Sequence, residues 1–208
     1  MADAGADAIE LNSYQVITDP AVAADQVETN LLAMVGAVTA AVRIPVSVKL
    51  SPFHSSLAQL AIALELEGAA GIVMFNRFYQ PDVDAALMEV RPQLRLSEQS
   101  ELLLRLRWLA IVSPLVAGSL AAGGGVHAAT DAAKAILTGA HAVQVVSVLL
   151  RHGPGVLTTL NRGLATWMRE RNFADLEDFR GRLNLAHCRD PAAFERANYI
   201  QTLQGPRG

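Results

Sequence analysis

Short apolar runs alternate with longer amphipathic ones along this chain, and that order limits the folds open to it. The apolar runs predict strands at Ala8–Asn12, Pro45–Leu50, Gly71–Asn76, Leu115–Ala121 and Ala142–Val148. Helices are expected between and after them, at Val27–Val42, Ser56–Glu67, Glu101–Val112, Ala128–Thr138 and Pro154–Arg171. Two helices end in a glycine that introduces the next strand, Gly68 and Gly139, where a left-handed residue stops the helix. Strand then helix, repeated five times, implies a mainly parallel sheet with helices packed outside it.

The strand faces narrow the reading. In Pro45–Leu50 the valines and Leu50 share one face, while Ser47 and Lys49 share the other. The same split in Ala8–Asn12 puts Glu10 beside Asn12; Asn76 ends the third strand and Gln144 lies inside the fifth. A sheet covered by helices on both sides reads as apolar on both faces. A face that turns polar towards the strand ends fits a parallel (β/α) barrel of TIM type, whose sites sit at the C-terminal rim. An open doubly wound sheet is the alternative. Five βα units are too few for eight staves, so the expected barrel is incomplete. Residues 1–172 are expected to form its C-terminal portion, and residues 173–208 a polar tail packing on it.

Composition matters for what it excludes. The chain has 208 residues and is 51% hydrophobic with a net charge of −3, so neither a disordered chain nor a sequence-independent nucleic-acid binder is expected. One cysteine, Cys188, excludes an internal disulfide, and no Cys/His spacing suggests a metal. No secretory signal is visible at the N-terminus, and a cytoplasmic protein is expected. Residues 108–130 carry no Lys, Arg, Asp or Glu, but Ser113-Pro114 and the run Gly123–Gly125 break any membrane-spanning helix there.

Chemistry is expected where polar residues meet strand ends. Gly124 and Gly125 follow the fourth strand, so their backbone N–H groups can approach a phosphate, aided by the following helix dipole. Ser147 lies in the loop after the last strand, the second usual phosphate element of such barrels. Lys49, one of two lysines in the chain, can stabilise negative charge or form a Schiff base. Asn12 and Asn76 present paired donors and acceptors suited to the edge of a flat heterocycle. His54, His127 and His152 read as loop residues, and neighbouring His187 and Cys188 as a weak dyad.

The stretches Ala8-Ile9-Glu10-Leu11-Asn12, Val48-Lys49-Leu50-Ser51-Pro52, Phe75-Asn76-Arg77-Phe78, Gly124-Gly125-Val126 and Gly139–Val145 together resemble the flavin-dependent dihydroorotate dehydrogenases of the soluble class and their dihydroorotate dehydrogenase-like relatives. The resemblance implies an eight-stranded α/β barrel binding FMN at its C-terminal rim, and an oxidoreductase of pyrimidine biosynthesis acting on the CH–CH group of a dihydropyrimidine-like small molecule. By that likeness Asn12 and Asn76 contact the pyrimidine or flavin, and Lys49 supports the flavin ring. Gly124, Gly125 and Ser147 then hold the FMN phosphate. Lys49 and Ser13 are the catalytic candidates, and a homodimer is compatible with the family.

This sequence departs from the family at two motifs and in extent. Gln15 stands where active members carry a cysteine or serine base, and glutamine cannot take a proton at neutral pH. Val146-Ser147 replaces the usual Gly-Thr, and the family's first three strands have no counterpart here. Two other readings stay open: a non-catalytic remnant of a barrel, and a flavin-free phosphate-binding barrel enzyme using Lys49 as a Schiff-base amine.

Overall fold

The computed structural model describes residues 1–77 and 79–195. Phe78 and residues 196–208 of the expected tail lie outside the described residues. Five strands form one parallel sheet: β1 (Ile9–Asn12), β2 (Val46–Leu50), β3 (Gly71–Met74), β6 (Ser119–Gly123) and β7 (Ala142–Gln144). Between β3 and β6 the chain makes a separate antiparallel hairpin, β4 (Asp82–Asp84) with β5 (Glu89–Arg91).

The main helices are α1 (Ala24–Ala41), α2 (Leu57–Leu66), α3 (Leu102–Val112), α4 (Ala129–Leu137) and α6 (Gly155–Arg169). Shorter ones are α5 (Ser147–His152) and α7 (Ala192–Glu195). No helix among the described residues is long and apolar enough to cross a membrane.

The strands lie side by side in chain order, β1-β2-β3-β6-β7. A doubly wound sheet reverses its strand order at a switch point; this sheet has none, so that alternative is set aside. Strand–helix–strand crossovers are right-handed as a rule, so an unreversed order sends the helices to one face. Val48 and Leu50 of β2, Ile72 and Met74 of β3, and Leu120 and Ala122 of β6 turn to that face. There they pack in one core with Leu31, Val35, Leu57, Leu64, Leu109 and Val112. The apolar alternation of β2 is reproduced residue by residue, with Val46, Val48 and Leu50 buried and Ser47 and Lys49 half-buried.

The opposite face is concave. Four inter-strand gaps of about 4.8 Å would separate β1 from β7 by roughly 19 Å in a flat sheet, further than two facing side chains can bridge. Yet Gln144 of β7 donates from Nε2 to Glu10 Oε2 of β1 at 2.5 Å. The sheet is therefore curled towards this face, and β1 and β7 remain its unpaired edges among the described residues.

Several expected boundaries move. The strand expected at Leu115–Ala121 begins only at Ser119. The N–H groups of Ala117 and Gly118 donate to Glu65 Oε1 at 2.8 and 2.6 Å, so a carboxylate from α2 takes the place of a ladder partner there. The strand expected at Ala142–Val148 stops at Gln144 because α5 begins at Ser147. Gly71–Asn76 stops at Met74, and Pro154–Arg171 begins and ends within a residue or two of α6. Gly68 and Gly139 take φ of 90° and 117°, as expected of helix stops.

After α6 the chain packs back on the helices. Phe179 is fully buried against Trp167 and Phe173, each with its ring centroid 5.1 Å away. Leu183 N–H and Leu185 N–H donate to Leu137 O and Ala110 O, each at 2.8 Å.

Candidate functional site

The C-terminal ends of the strands gather the polar residues into one hollow. Parallel register places Asn12 beside Lys49 and Gly123 beside Gln144. Because paired residues on adjacent strands point the same way, the side chains of Asn12, Lys49 and Gln144 share the concave face. A cavity of about 290 Å³ is lined there by Lys49, Asn76, Gly124, Gln144, Ser147 and Arg105, among others.

Lys49 is fixed by two partners. Its Nζ donates to Gln144 Oε1 at 2.7 Å and lies 3.3 Å from Glu10 Oε1. Gln144 bonds Glu10 in turn, so β1, β2 and β7 share a three-membered polar network. Asn76 Nδ2 donates to Asn12 Oδ1 and to Ser13 O. The two asparagines therefore form one unit, with Asn76 lining the cavity and exposed Asn12 outside its lining.

The glycine turn is tied down by serines. Gly124 and Gly125 have φ of 88° and 79°, a left-handed course that a side chain resists. A Cβ on Gly125 would also lie 2.5 Å from Leu102 N of α3, so the turn can sit against that helix only as glycine. Gly125 N–H donates to Ser97 Oγ at 3.4 Å, and Ser97 N–H donates to Ser147 Oγ at 2.8 Å. The two serine hydroxyls are also 2.8 Å apart, and both residues are buried. Ser97 was absent from the sequence reading. Its position ahead of the turn Gln99–Glu101 and α3 carries no periodic signal, and the capping pair there is Glu98 with Glu101.

One expectation changes. The start of α4 was expected to offer its dipole to a phosphate. Instead, fully buried Asp131 accepts from the N–H groups of His127 and Ala128 at 3.1 and 2.9 Å. Gln99 Nε2 donates to the same carboxylate at 2.8 Å. The helix end is thus capped from within, and what faces the cavity is the glycine backbone and the serine hydroxyls.

Ser13 and Gln15 lie elsewhere. They line a neighbouring cavity of about 470 Å³ with Glu28, Ser51 and His54. His54 Nδ1 is 3.6 Å from Glu28 Oε1. Burial holds the imidazole below its usual value, against the opposing pull of Glu28. Nor do His187 and Cys188 form a dyad: His187 Nδ1 faces Gly181 O at 3.2 Å, and Cys188 Sγ faces Leu185 O at 3.9 Å.

Arg105 was also missed by the sequence reading. Its guanidinium is buried, donating to Gly123 O at 2.9 Å and to Glu101 O at 2.7 Å. Arg77, directly after Asn76, donates to Glu101 Oε1 at 2.6 Å. Burial alone would raise the Glu101 carboxyl. Hydrogen bonds from Arg77 and Glu98 N–H, with the charges of Arg77 and Arg105, outweigh it and hold Glu101 below the usual range. No cluster of three or more His, Cys, Asp or Glu suited to a metal occurs among the described residues.

No family profile matches the chain. Individual relatives do. The catalytic subunit of dihydroorotate dehydrogenase B (NAD(+)) from Trichlorobacter lovleyi is 32% identical over 171 residues, covering 80% of this chain and 53% of that protein. The same subunit from Thermoplasma volcanium is 29% identical over 195 residues, covering 87% and 61%. The chain belongs to the dihydroorotate dehydrogenase family. It spans about half the length of the curated relatives it matches. A chloroplastic dihydropyrimidine dehydrogenase (NADP(+)) from Arabidopsis thaliana is 43% identical over 63 residues, 30% of this chain and 15% of that protein. Lys49, Asn76 and Gly124, which lie in the stretches that carry the resemblance, all line the cavity.

Proposed function

We propose that this chain is the C-terminal portion of a TIM-type (β/α) barrel, residues 1–172, carrying a packed tail. Its function is that of an FMN-dependent oxidoreductase acting on a dihydropyrimidine-like CH–CH group. The observation that supports this best is the convergence of Lys49, Asn76, Gly124 and Ser147 on one cavity from four different strand ends.

The donor set suits the cofactor. Glycine backbone without side chains and two buried hydroxyls, Ser97 and Ser147, suit a phosphate. Lys49 supplies a fixed positive charge for an electron-rich ring, and the Asn12–Asn76 unit supplies amide groups for a heterocycle edge. FMN, when bound, supplies the hydride acceptor. The chain's own residues hold and orient it. Glu10 and Gln144 keep the Lys49 ammonium aimed into the cavity rather than free to swing to solvent. An ammonium held against a carboxylate and an amide oxygen serves as a cation more readily than as an amine nucleophile, which argues against the Schiff-base reading.

A second reading rests on Gln15. An amide at the family's base position, lining the neighbouring cavity with Ser13, favours a flavin-holding chain that does not turn over dihydroorotate. One anaerobic experiment separates the two. Purified chain is loaded with FMN, mixed with dihydroorotate, and followed by flavin absorbance. Bleaching supports the dehydrogenase, while bound but unbleached flavin supports the second reading. A colourless chain whose melting temperature ignores added FMN contradicts both.

A further inference from the structure

A second cavity, of about 610 Å³, adjoins the one just described and shares Asn76, Arg77, Arg95 and Arg105 with it. Its charged lining is lopsided. Four guanidinium groups, on Arg77, Arg95, Arg105 and Arg151, face two carboxylates, Glu98 and Glu101. Glu101 is shared, 2.6 Å from Arg77 and 3.8 Å from Arg105. Arg95 has only a loose, exposed partner in Asp82 at 3.7 Å. Arg151, in the last turn of α5, has no ion pair among the described residues.

The arginines come from separate places in the chain: the segment after β3, the segment after β5, α3 and α5. None is positioned by another's helical repeat. Arg105 is the most telling of them. Its buried guanidinium is fixed by Gly123 O at 2.9 Å and Glu101 O at 2.7 Å, and the one carboxylate it approaches is shared with Arg77, so positive charge is in excess at the cavity wall. Burial pushes its proton affinity down, Glu101 opposes that, and the charge of Arg77 adds to the downward push.

We propose that this cavity is a subsite for a phosphate monoester carried by a substrate or electron acceptor, separate from the phosphate position at Gly124, Gly125 and Ser147. The excess of two positive charges matches a dianion. Guanidinium groups converging from several directions suit a tetrahedral phosphate, whereas a planar carboxylate is satisfied by one or two. The subsite does not depend on the flavin reading, because its charges stand whether or not flavin fills the neighbouring space.

The test is calorimetry with glycerol 2-phosphate as the probe and succinate as comparator, at constant ionic strength, on the full chain. Arg95→Gln and Arg151→Gln are the informative variants, since both side chains are exposed and the fold does not rest on them. Each is expected to weaken glycerol 2-phosphate at least roughly tenfold, the scale of a lost charge-assisted contact, while Ser147→Ala stays within about twofold. Binding that depends on Ser147 and ignores both arginines places the phosphate at the glycine turn and overturns the proposal. So does succinate binding as tightly as the phosphate ester, and so does no binding at all. FMN titrations run in parallel keep the two readings apart. Loss of FMN binding with Arg151-dependent phosphate binding intact sinks the flavin reading alone; the reverse pattern sinks this one.

Discussion

Substituting Gly125 by alanine tests the glycine turn at its most constrained point. The backbone there has φ of 79°, and a Cβ would stand 2.5 Å from Leu102 N and 2.8 Å from Leu102 Cα. The left-handed conformation alone costs a residue with a Cβ roughly 1–2 kcal/mol. Relieving the overlap means moving the turn or the start of α3, which adds roughly 1–3 kcal/mol in a well-packed region. The expected loss is therefore about 2–5 kcal/mol, a large share of the roughly 5–15 kcal/mol of a typical domain. Gly5→Ala is the control: its φ is 88°, but nothing lies within 4 Å of the added Cβ, so only the conformational cost applies. Urea unfolding followed by circular dichroism reads both. At a slope of about 2 kcal/mol/M, Gly125→Ala should lower the midpoint by roughly 1–2.5 M and Gly5→Ala by clearly less. Equal losses in the two variants, or an unchanged midpoint for Gly125→Ala, would refute the argument that contact with α3 dictates glycine there.

Other consequences can be checked in the same way. Glu65→Ala should cost about 1–3 kcal/mol by leaving the Ala117 and Gly118 N–H groups without their carboxylate, and Glu65→Gln should recover most of it in the same urea titration. Phe179→Ala, at a fully buried ring stacked on Phe173 and packed at a tilt against Trp167, should cost about 3–5 kcal/mol by thermal or chemical denaturation. His54 and His141 both have proton affinities lowered first by burial. A depressed folded value means stability is full above the unfolded value of about 6.5 and falls as pH drops through the folded one. Melting temperature should therefore decline on acidification below about pH 6.5, and His54→Gln should remove part of that slope.

How far the sequence could be read depended on whether a signal was periodic. Residues 46–50 alternate strictly, and the burial of Val46, Val48 and Leu50 against half-buried Ser47 and Lys49 follows that pattern. Gly68 and Gly139 marked helix ends through the left-handed turn they permit. Leu115–Gly118 misled because a continuous apolar run has no phase; only the position of Glu65, distant in sequence, shows that those N–H groups leave the ladder. The hairpin of β4 and β5 was missed for a related reason, since each strand has three residues, too few to show a period.

Within the site, residues at strand ends were legible because strand termini point to a common rim. Lys49, Asn76, Gly124 and Ser147 meet there as a result. Ser97 and Arg105 were not legible, as one lies in an irregular segment and the other on a helix whose partners are far along the chain. The start of α4 was legible as a helix end, but not as one already capped. The Asp131 carboxylate, three residues in, turns back on the N–H groups of His127 and Ala128 just ahead of the helix and places a negative charge where a ligand's was expected.

The most direct measurement on the central claim is equilibrium dialysis of the chain against FMN and, separately, riboflavin. A hollow built from the glycine turn, Ser147 and Lys49 should retain one FMN per chain, hold riboflavin at least roughly tenfold more weakly for want of the phosphate, and lose FMN in Lys49→Met. Equal retention of the two flavins, or none of either, would contradict it.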